Sequence, residues 1–248
     1  MADVEVAYFQ NEAKGVEVVV AAHMANGYPT HSHVSTYVLI LVRRGRLRVN
    51  MNDRIVRLGK NDAFLILPYQ PHRLEPTPSC AAISLCLDKT AFQTRNAEVL
   101  ETAAAALGKL VRDSRITDAE CGLLRSALQR IPVPVTNRAA GDELDDIKTA
   151  LETRPDLQYC LDDMAEAAHL DKHHLIRKFK KRYGLPPNLF LLQSRVRRAR
   201  KLMAHPATLT EMALASGFFD QSHFIRHFKR LHLMSPGKYR RALRPLPE

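Results

Sequence analysis

Short apolar runs separated by turn residues fill the first third of the chain. Tyr37–Val42 is rich in β-favouring residues, Arg46–Asn50 alternates apolar and polar positions, and Arg54–Leu58 and Ala63–Leu67 follow at close spacing. A period of two, interrupted by Gly, Asn and Asp, is typical of strands joined by tight turns. The pattern from about residue 10 to about residue 88 therefore predicts a small β-barrel or sandwich.

The apolar period becomes helical at about residue 90. One stripe is formed by Val99, Leu100, Ala103, Ala106, Leu107, Leu110 and Val111. Thr117-Asp-Ala-Glu120 has the capping-box pattern that opens a second amphipathic helix. The sequence thus predicts a helical hairpin over about residues 90–131. Its apolar stripes either pack against the barrel or form the seam of a homodimer, and the pattern favours neither.

Residues 132–141 separate two parts of the chain. They contain Pro132 and Pro134, show no periodicity and end in Gly141, as a linker does. We therefore expect two domains: residues 1–131, a β-barrel with a helical hairpin, and residues 142–248, where every pattern has a helical period.

An internal repeat runs through this C-terminal part. Leu161–Ala165 aligns with Leu209–Ala213 at an offset of 48, and Asp171–Lys180 aligns with Asp220–Lys229 at an offset of 49. Each copy predicts a short helix, a turn and a second helix, so the repeat is one helix-turn-helix unit written twice. Pro186–His205 lies between the copies and predicts one long helix that fixes their spacing.

The distribution of charge indicates a binding partner, because the excess of basic residues is confined to the same C-terminal segment. The 248-residue chain has a formal net charge of +11. Residues 157–248 contain 18 Lys and Arg against 7 Asp and Glu, whereas residues 1–156 contain 19 of each kind. A basic excess that coincides with duplicated helix-turn-helix units indicates double-stranded DNA as the partner.

The second helix of each copy has two predicted faces. The apolar pairs Leu175 with Phe179 and Phe224 with Phe228 must face a supporting helix. On the other face, arginine can pair with guanine, Gln, Ser and His can bond to base edges, and lysine can bind phosphates. The predicted DNA-binding residues are His173, Ile176, Arg177 and Lys180 in the first copy, and Gln221, Ser222, His223, Arg226 and Lys229 in the second.

Several short motifs of the last hundred residues occur together in a known family. They are Met164-Ala165, His174–Lys180, Ser216-Gly217-Phe218, Asp220–Lys229 and Pro236–Arg240. This set resembles the DNA-binding domain of the AraC/XylS transcription regulators. The resemblance implies that the two units contact adjacent major-groove segments, led by Arg177 and Arg226. Two positions depart from the family pattern, since His169 and Leu233 stand where glycine is usual.

The N-terminal part carries a second resemblance. The series Gly27-Tyr-Pro-Thr-His31-Ser-His33, Tyr37, Gly45, Gly59, Pro68 and Pro71-His72 resembles the two cupin motifs, which also occur in the sensing domains of AraC-like proteins.

The histidines of that series are candidate ligands. His31 and His33 would point the same way on a strand, and His72 could meet them across the barrel. Three imidazoles could bind a divalent metal, Zn, Ni or Fe. The same histidines, with Tyr37, form the predicted effector pocket. Tyr37 stands where metal-binding cupins usually carry glutamate, so the alternative is that the histidines serve as polar pocket groups without a metal.

These patterns together predict a sequence-specific regulator of the AraC/XylS type that senses an effector in a cupin-like domain and has no catalytic residues. The expected partners are an operator, a small-molecule or metal effector, a second copy in a homodimer, and RNA polymerase if the protein is an activator. The chain has no apolar run of about 18 residues and does not start like a signal peptide, so we expect a cytoplasmic protein without a membrane partner. The alternatives are a metal-dependent cupin enzyme with an accessory helical domain and a nonspecific architectural DNA-binding protein.

Overall fold

The chain folds into two compact units in the computed structural model. The model describes residues 6–11, 14–24, 27–34, 36–51, 54–89, 97–130 and 142–246. One unit comprises Met1–Val135 together with Arg241–Glu248, and the other comprises Thr136–Arg240. The predicted linker, residues 132–141, lies outside the described residues.

The first unit is built on two β-sheets, as predicted. Its strands are β1 (Val6–Asn11), β2 (Val16–Met24), β3 (Tyr28–His31), β4 (Thr36–Arg44), β5 (Leu47–Met51), β6 (Ile55–Leu58), β7 (Ala63–Ile66), β8 (His72–Pro76), β9 (Cys80–Asp88) and β10 (Leu243–Pro245). The larger sheet has the order β10-β1-β2-β9-β4-β7 and the smaller one β3-β8-β5-β6. The strands expected between residues 37 and 88 are confirmed.

Two helices cover one face of the larger sheet. They are α1 (Ala97–Arg112) and α2 (Asp118–Gln129), and α2 begins with the predicted capping box of Thr117 and Glu120. Leu107 of α1 and Leu124 of α2 are buried in one apolar cluster with Leu39 and Leu85 of the sheet. Of the two interpretations of the helical stripes, packing against the barrel is the one that the structure shows.

The end of the chain corrects the predicted domain boundary. Strand β10 pairs in parallel with β1, and the Leu246 N–H donates to the Gln10 carbonyl oxygen at 2.8 Å. Leu246 itself is 6% exposed and belongs to the apolar cluster of the first unit. Residues from Arg241 onward therefore belong to the barrel unit and not to the DNA-binding domain predicted over 142–248. The physical reason is the free edge of β1, whose backbone groups gain partners from an extended segment.

The remaining helices follow the repeat. They are α3 (Glu143–Thr153), α4 (Leu161–Ala167), α5 (Lys172–Tyr183), α6 (Pro187–Leu202), α7 (Leu209–Ala215), α8 (Gln221–His232) and α9 (Pro236–Ala242). Helices α4 and α5 form the first helix-turn-helix unit, α7 and α8 form the second, and α6 connects them. Asp171 and Asp220 cap α5 and α8 in the same way, each accepting from the backbone N–H three residues ahead. In the part of the chain that the structure describes, no helix is both long enough and apolar enough to cross a lipid bilayer.

Both departures from the family pattern keep the backbone that glycine would adopt. His169 has φ 51°, and its equivalent in the second copy, Gly217, has φ 85°. Leu233 has φ 57° at the end of α8, where Gly184 has φ 79° at the end of α5. The N–H groups of Leu233 and Gly184 both donate to the carbonyl oxygen four residues back. Helices α5 and α8 therefore end alike.

Candidate nucleic-acid interface and histidine cluster

Helices α5 and α8 share an exposed stripe of three equivalent positions. Its residues are His173, Arg177 and Lys180 in α5 and Ser222, Arg226 and Lys229 in α8, related by the offset of 49; other residues of both helices, such as Lys172 and Gln221, are exposed as well. Spacings of four and three residues place each set on one helix face. The predicted apolar pairs are fully buried on the other side, so the core fixes which way these two exposed stripes point.

The central arginines of the exposed stripes are not used by the fold. Among the described residues, neither Arg177 nor Arg226 has a side-chain hydrogen bond or an ion pair. Other arginines of the same unit hold the structure together. Arg182 pairs with Asp142 and Asp145, Arg195 donates to the carbonyl oxygens of Pro155 and Leu157, and Arg240 donates to those of His205 and Ala207. The basic excess of the sequence thus divides into structural cations and cations left for a partner.

The first residue of each recognition helix is tied to the preceding helix. In the first helix-turn-helix unit, Lys172 Nζ lies 2.6 Å from Asp162 Oδ1. At the equivalent place in the second helix-turn-helix unit, Thr210 Oγ1 donates to Gln221 Oε1 at 2.7 Å. The repeat does not reveal the Asp162–Lys172 pair, because the equivalent contact, Thr210 with Gln221, is a neutral hydrogen bond and not an ion pair. The Gln221 amide nitrogen still has its donors for a base edge.

Two predicted base contacts lie beside the stripes instead of within them. Ile176 is half-buried, as is Ile225 at the equivalent position. His223 is also half-buried, with its ring 5.4 Å from the Phe218 ring and 4.7 Å from the His227 ring between centroids. Burial, and then the neighbouring His223, Arg226 and Arg230, hold the pKa of His227 below its usual value. Both residues therefore also contribute to packing, and their contacts to bases stay predictions.

The three predicted histidines meet in the first unit. His31 at the end of β3 pairs in register with His72 at the start of β8, and His33 follows in the next turn. Their ring centroids are 4.2 Å apart for His31 and His72, 5.0 Å for His31 and His33, and 5.2 Å for His33 and His72. One ring nitrogen from each histidine lies within 4.8 Å of the other two.

Hydrogen bonds to the backbone orient two of these rings. The Nδ1–H of His31 donates to the Pro29 carbonyl oxygen at 2.8 Å, and that of His72 donates to the Gln70 carbonyl oxygen at 2.9 Å. Each Nε2 therefore carries the lone pair. Burial lowers the pKa of His31, and burial together with the charge of His31 lowers the pKa of His72 to about 3. Both rings are thus neutral at physiological pH.

This donor set fits a divalent metal ion. The Nε2 atom of His72 is buried and has no hydrogen-bond partner among the described residues. A metal-ligating histidine commonly donates its second ring N–H to a backbone carbonyl, as His31 and His72 do. Three imidazoles without a carboxylate match Zn and related ions with a coordination position left open.

Tyr37, the fourth residue predicted for the effector pocket, lies in the core of the first unit. It is buried in the apolar cluster that the larger sheet shares with α1 and α2, together with Leu39 and Leu41 of the same strand. Successive strand residues point to opposite faces, so this cluster occupies one face of β4. The structure therefore places Tyr37 in this cluster, and the effector pocket of Tyr37 and the three histidines stays a prediction.

The fold and the two sites define a class of protein: a sheet-rich unit with a partly buried histidine cluster, joined to a unit with two helix-turn-helix motifs. Comparison with protein families also gives two parts, although the first match extends into α3 of the second unit. An AraC-like ligand binding domain matches residues 14–152, and a helix-turn-helix domain matches residues 164–242. The chain belongs to the AraC/XylS family, as its motifs indicated.

Individual relatives agree with this assignment. The HTH-type transcriptional regulator MtrA of Neisseria gonorrhoeae is 35% identical over 89 residues, which cover 36% of this chain and 30% of that protein. The HTH-type transcriptional activator RhaS of Escherichia coli (strain SE11) is 36% identical over 82 residues, 33% of this chain and 30% of that protein. Both alignments thus span less than a third of the relative's length. ToxT from Vibrio cholerae, with a TM-score of 0.59 and 12% identity over 92% of this chain and 99% of that one, shows the shared fold.

Proposed function

We propose that the protein is a sequence-specific DNA-binding transcription regulator that senses an effector through its cupin-like unit. The observation that carries the proposal is the pair of equivalent exposed stripes on α5 and α8. Each stripe offers an arginine for base edges and a lysine for phosphates. Helix α6 joins the two helix-turn-helix units. When one of them binds DNA, the effective concentration of the other at the neighbouring groove rises, so two weak contacts act as one strong contact.

The sensing step requires an effector that binds one state of the protein better than another. Such an effector shifts the balance between DNA-binding states by as much as its affinities for them differ. The other expected partners follow from this role. An operator is the nucleic-acid partner, RNA polymerase is a partner if the protein is an activator, and a homodimer would bring two pairs of units to one operator in the cytoplasm.

Binding-site selection from random duplexes with the full chain tests the DNA function. We expect a sequence logo with two blocks, one for each unit. Arg177→Ala should relax the preference at a position of one block, and Arg226→Ala at a position of the other, by about 1–3 kcal/mol each. Arg125 is exposed on α2, so Arg125→Ala is the charge-matched control and should leave both blocks intact. A flat logo for the unaltered protein would instead identify a nonspecific architectural DNA-binding protein.

We also propose that His31, His33 and His72 hold a divalent cation that serves sensing and not catalysis. The support is the convergence of the three ring nitrogens, the backbone hydrogen bonds that orient His31 and His72, and the unpartnered His72 Nε2. When bound, a cation of the Zn, Ni or Fe class supplies a positive charge and an open coordination position for an effector. The three histidines would hold the ion and leave that position free.

Metal analysis of protein purified without added metal tests this second proposal. We expect bound metal, and a rise in melting temperature when metal is returned to chelator-treated protein, because a ligand at about 100 times its Kd adds about 2.7 kcal/mol to stability. His72→Ala should abolish both effects. His23→Ala, at a histidine on β2 outside the cluster, is the control. Absence of both effects would leave the histidines as polar groups only, and substrate turnover by the metal-loaded protein would favour the cupin enzyme.

A further inference from the structure

Phe219 is an aromatic side chain that the fold leaves in water. It is 86% exposed, more than any other large apolar side chain among the described residues, whereas the adjacent Phe218 is 3% exposed. An exposed ring gains none of the transfer free energy that burial would supply. The exposure of Phe219 therefore needs an explanation other than the stability of the fold.

Phe219 occupies the position just before the N-cap of the second recognition helix. An apolar residue there normally packs on the fourth residue of the helix, here Phe224. That contact is made by Phe218 instead, with its ring centroid 5.3 Å from that of Phe224. Helix α8 therefore has its apolar contact at this end without Phe219.

The exposed ring belongs to the end of α8 that carries the base-contacting residues. Phe219, Asp220, Gln221 and Ser222 form an unbroken exposed segment. In a helix-turn-helix unit, the N-terminal residues of the recognition helix contact base edges in the major groove. The ring thus lies next in sequence to the polar residues already assigned to that groove.

The first helix-turn-helix unit lacks this feature. The residue equivalent to Phe219 at the offset of 49 is Leu170, which is half-buried, although Asp171 caps α5 as Asp220 caps α8. The same supersecondary unit therefore forms without an exposed ring at this position. The exposed ring before the recognition helix is thus a feature of the second helix-turn-helix unit and not of the first.

We propose that Phe219 packs against the C5-methyl group of a thymine and so determines specificity in the half-site that α8 contacts. The thymine methyl is the apolar group that base edges present in the major groove, and phenylalanine is among the side chains suited to it. Gln221, Ser222 and Arg226 supply the polar contacts at neighbouring bases. This inference rests on the proposed DNA function and deepens it.

Deoxyuridine substitution tests the inference on the selected operator. Replacing thymines of the α8 half-site one at a time should weaken binding of the unaltered protein about fourfold at one position, the equivalent of exposing one methyl-sized group. Phe219→Ala should lose a similar factor on the thymine operator and should no longer distinguish thymine from uracil at that position. Phe219→Leu, which keeps an apolar side chain, should retain part of the discrimination.

Leu214→Ala is the matched control. Leu214 is an exposed apolar residue of α7 at 58% exposure, outside the N-terminal end of α8, and its loss should leave the methyl dependence unchanged. Equal melting temperatures of the Phe219 variants and the unaltered protein show that folding is intact. If no thymine is coupled to Phe219, or if Phe219→Ala weakens all duplexes alike, the inference is overturned while the DNA function stands. If the unaltered protein selects no sequence, the DNA function itself fails.

Discussion

At the scale of single residues, positive φ values mark the equivalent turn positions of the two helix-turn-helix units. Gly217 needs glycine for two reasons, its φ of 85° and a crowded surrounding in which an added Cβ would lie 2.7 Å from the Pro155 carbonyl oxygen. His169 has a similar φ but an exposed side chain, so only the left-handed conformation is costly there.

We therefore expect His169→Gly to stabilise the protein by about 0.5–1 kcal/mol and Gly217→Ala to destabilise it by more than about 1 kcal/mol. Urea denaturation measures both changes as shifts of the midpoint at constant slope. His169→Ala is the control, because it removes the ring and keeps the strain, and it should change stability by less than about 0.5 kcal/mol. Equal effects of His169→Ala and His169→Gly would show that the turn does not impose the strain.

Lys180 and Lys229 end the two exposed stripes, and among the described residues neither makes an ion pair. A lysine that neutralises one phosphate releases a counterion, so each Lys→Ala variant should weaken binding to all sequences alike and reduce the salt slope by about 1. The measurement is the affinity for one specific and one random duplex over a range of salt concentrations. Lys60→Ala removes an exposed lysine of the first unit and should leave the slope unchanged. A change of the sequence logo by Lys229→Ala would contradict its assignment to phosphate.

At the scale of elements, one carboxylate both caps a helix and attaches it to the barrel. Glu120 accepts from the Thr117 backbone N–H at 2.8 Å and from Arg43 of β4 through Nε at 2.6 Å and Nη2 at 3.0 Å. Burial alone would raise the pKa of Glu120, but the bonds from Arg43 and Thr117 hold it below its usual value. Arg43 is thus part of the attachment of α2 to the sheet.

A lowered carboxylate pKa gives this attachment a definite pH dependence. Its contribution is complete above the unfolded-state pKa of Glu120 and is lost as the pH falls through the lower folded-state pKa. Glu120→Gln keeps a capping side chain but removes the charge, so it should cost about 1–3 kcal/mol near pH 7 and flatten the acid side of the stability profile. Denaturation between about pH 3 and about pH 7, a range around the ordinary pKa of a glutamate side chain, measures the difference. Glu101→Gln, at an exposed position of α1, should reproduce the unaltered profile.

The local patterns explain why the elements themselves were predictable. The predicted capping box of Thr117 and Glu120 is confirmed. The box of Thr208 with Glu211 and the caps Asp171 and Asp220 are likewise formed by residues close together in the sequence. The groups that pack against a strand face, in contrast, cannot be inferred from the neighbouring sequence. The period of two shows that Tyr37 shares a face with Leu39 and Leu41, but it does not show whether that face meets helices or the histidines.

At the scale of the whole molecule, the chain leaves its first unit, forms the second and returns. Leu243–Pro245 adds a strand beside β1, more than 230 positions away in sequence, with partners such as Tyr8 for Leu243. No local signal announces such a pairing, because any extended segment with free backbone groups can complete an edge. The helix-turn-helix repeat was predictable from about fifty residues of context, whereas this strand required the fold of both ends.

The returning strand predicts a stability effect that sequence position alone would assign to the wrong unit. Leu246 is buried among residues of the barrel, so Leu246→Ala should destabilise the first unit by about 2–5 kcal/mol. The helices of the second unit share none of that cluster, and their stability should be unchanged. Hydrogen exchange resolves the two units separately, with loss of protection expected in β1 and β2 and not in α5 or α8. Arg244→Ala, at an exposed position of β10, is the control and should leave both units intact. Loss of protection in α8 instead would show that the segment stabilises the DNA-binding unit, as its place in the sequence suggests.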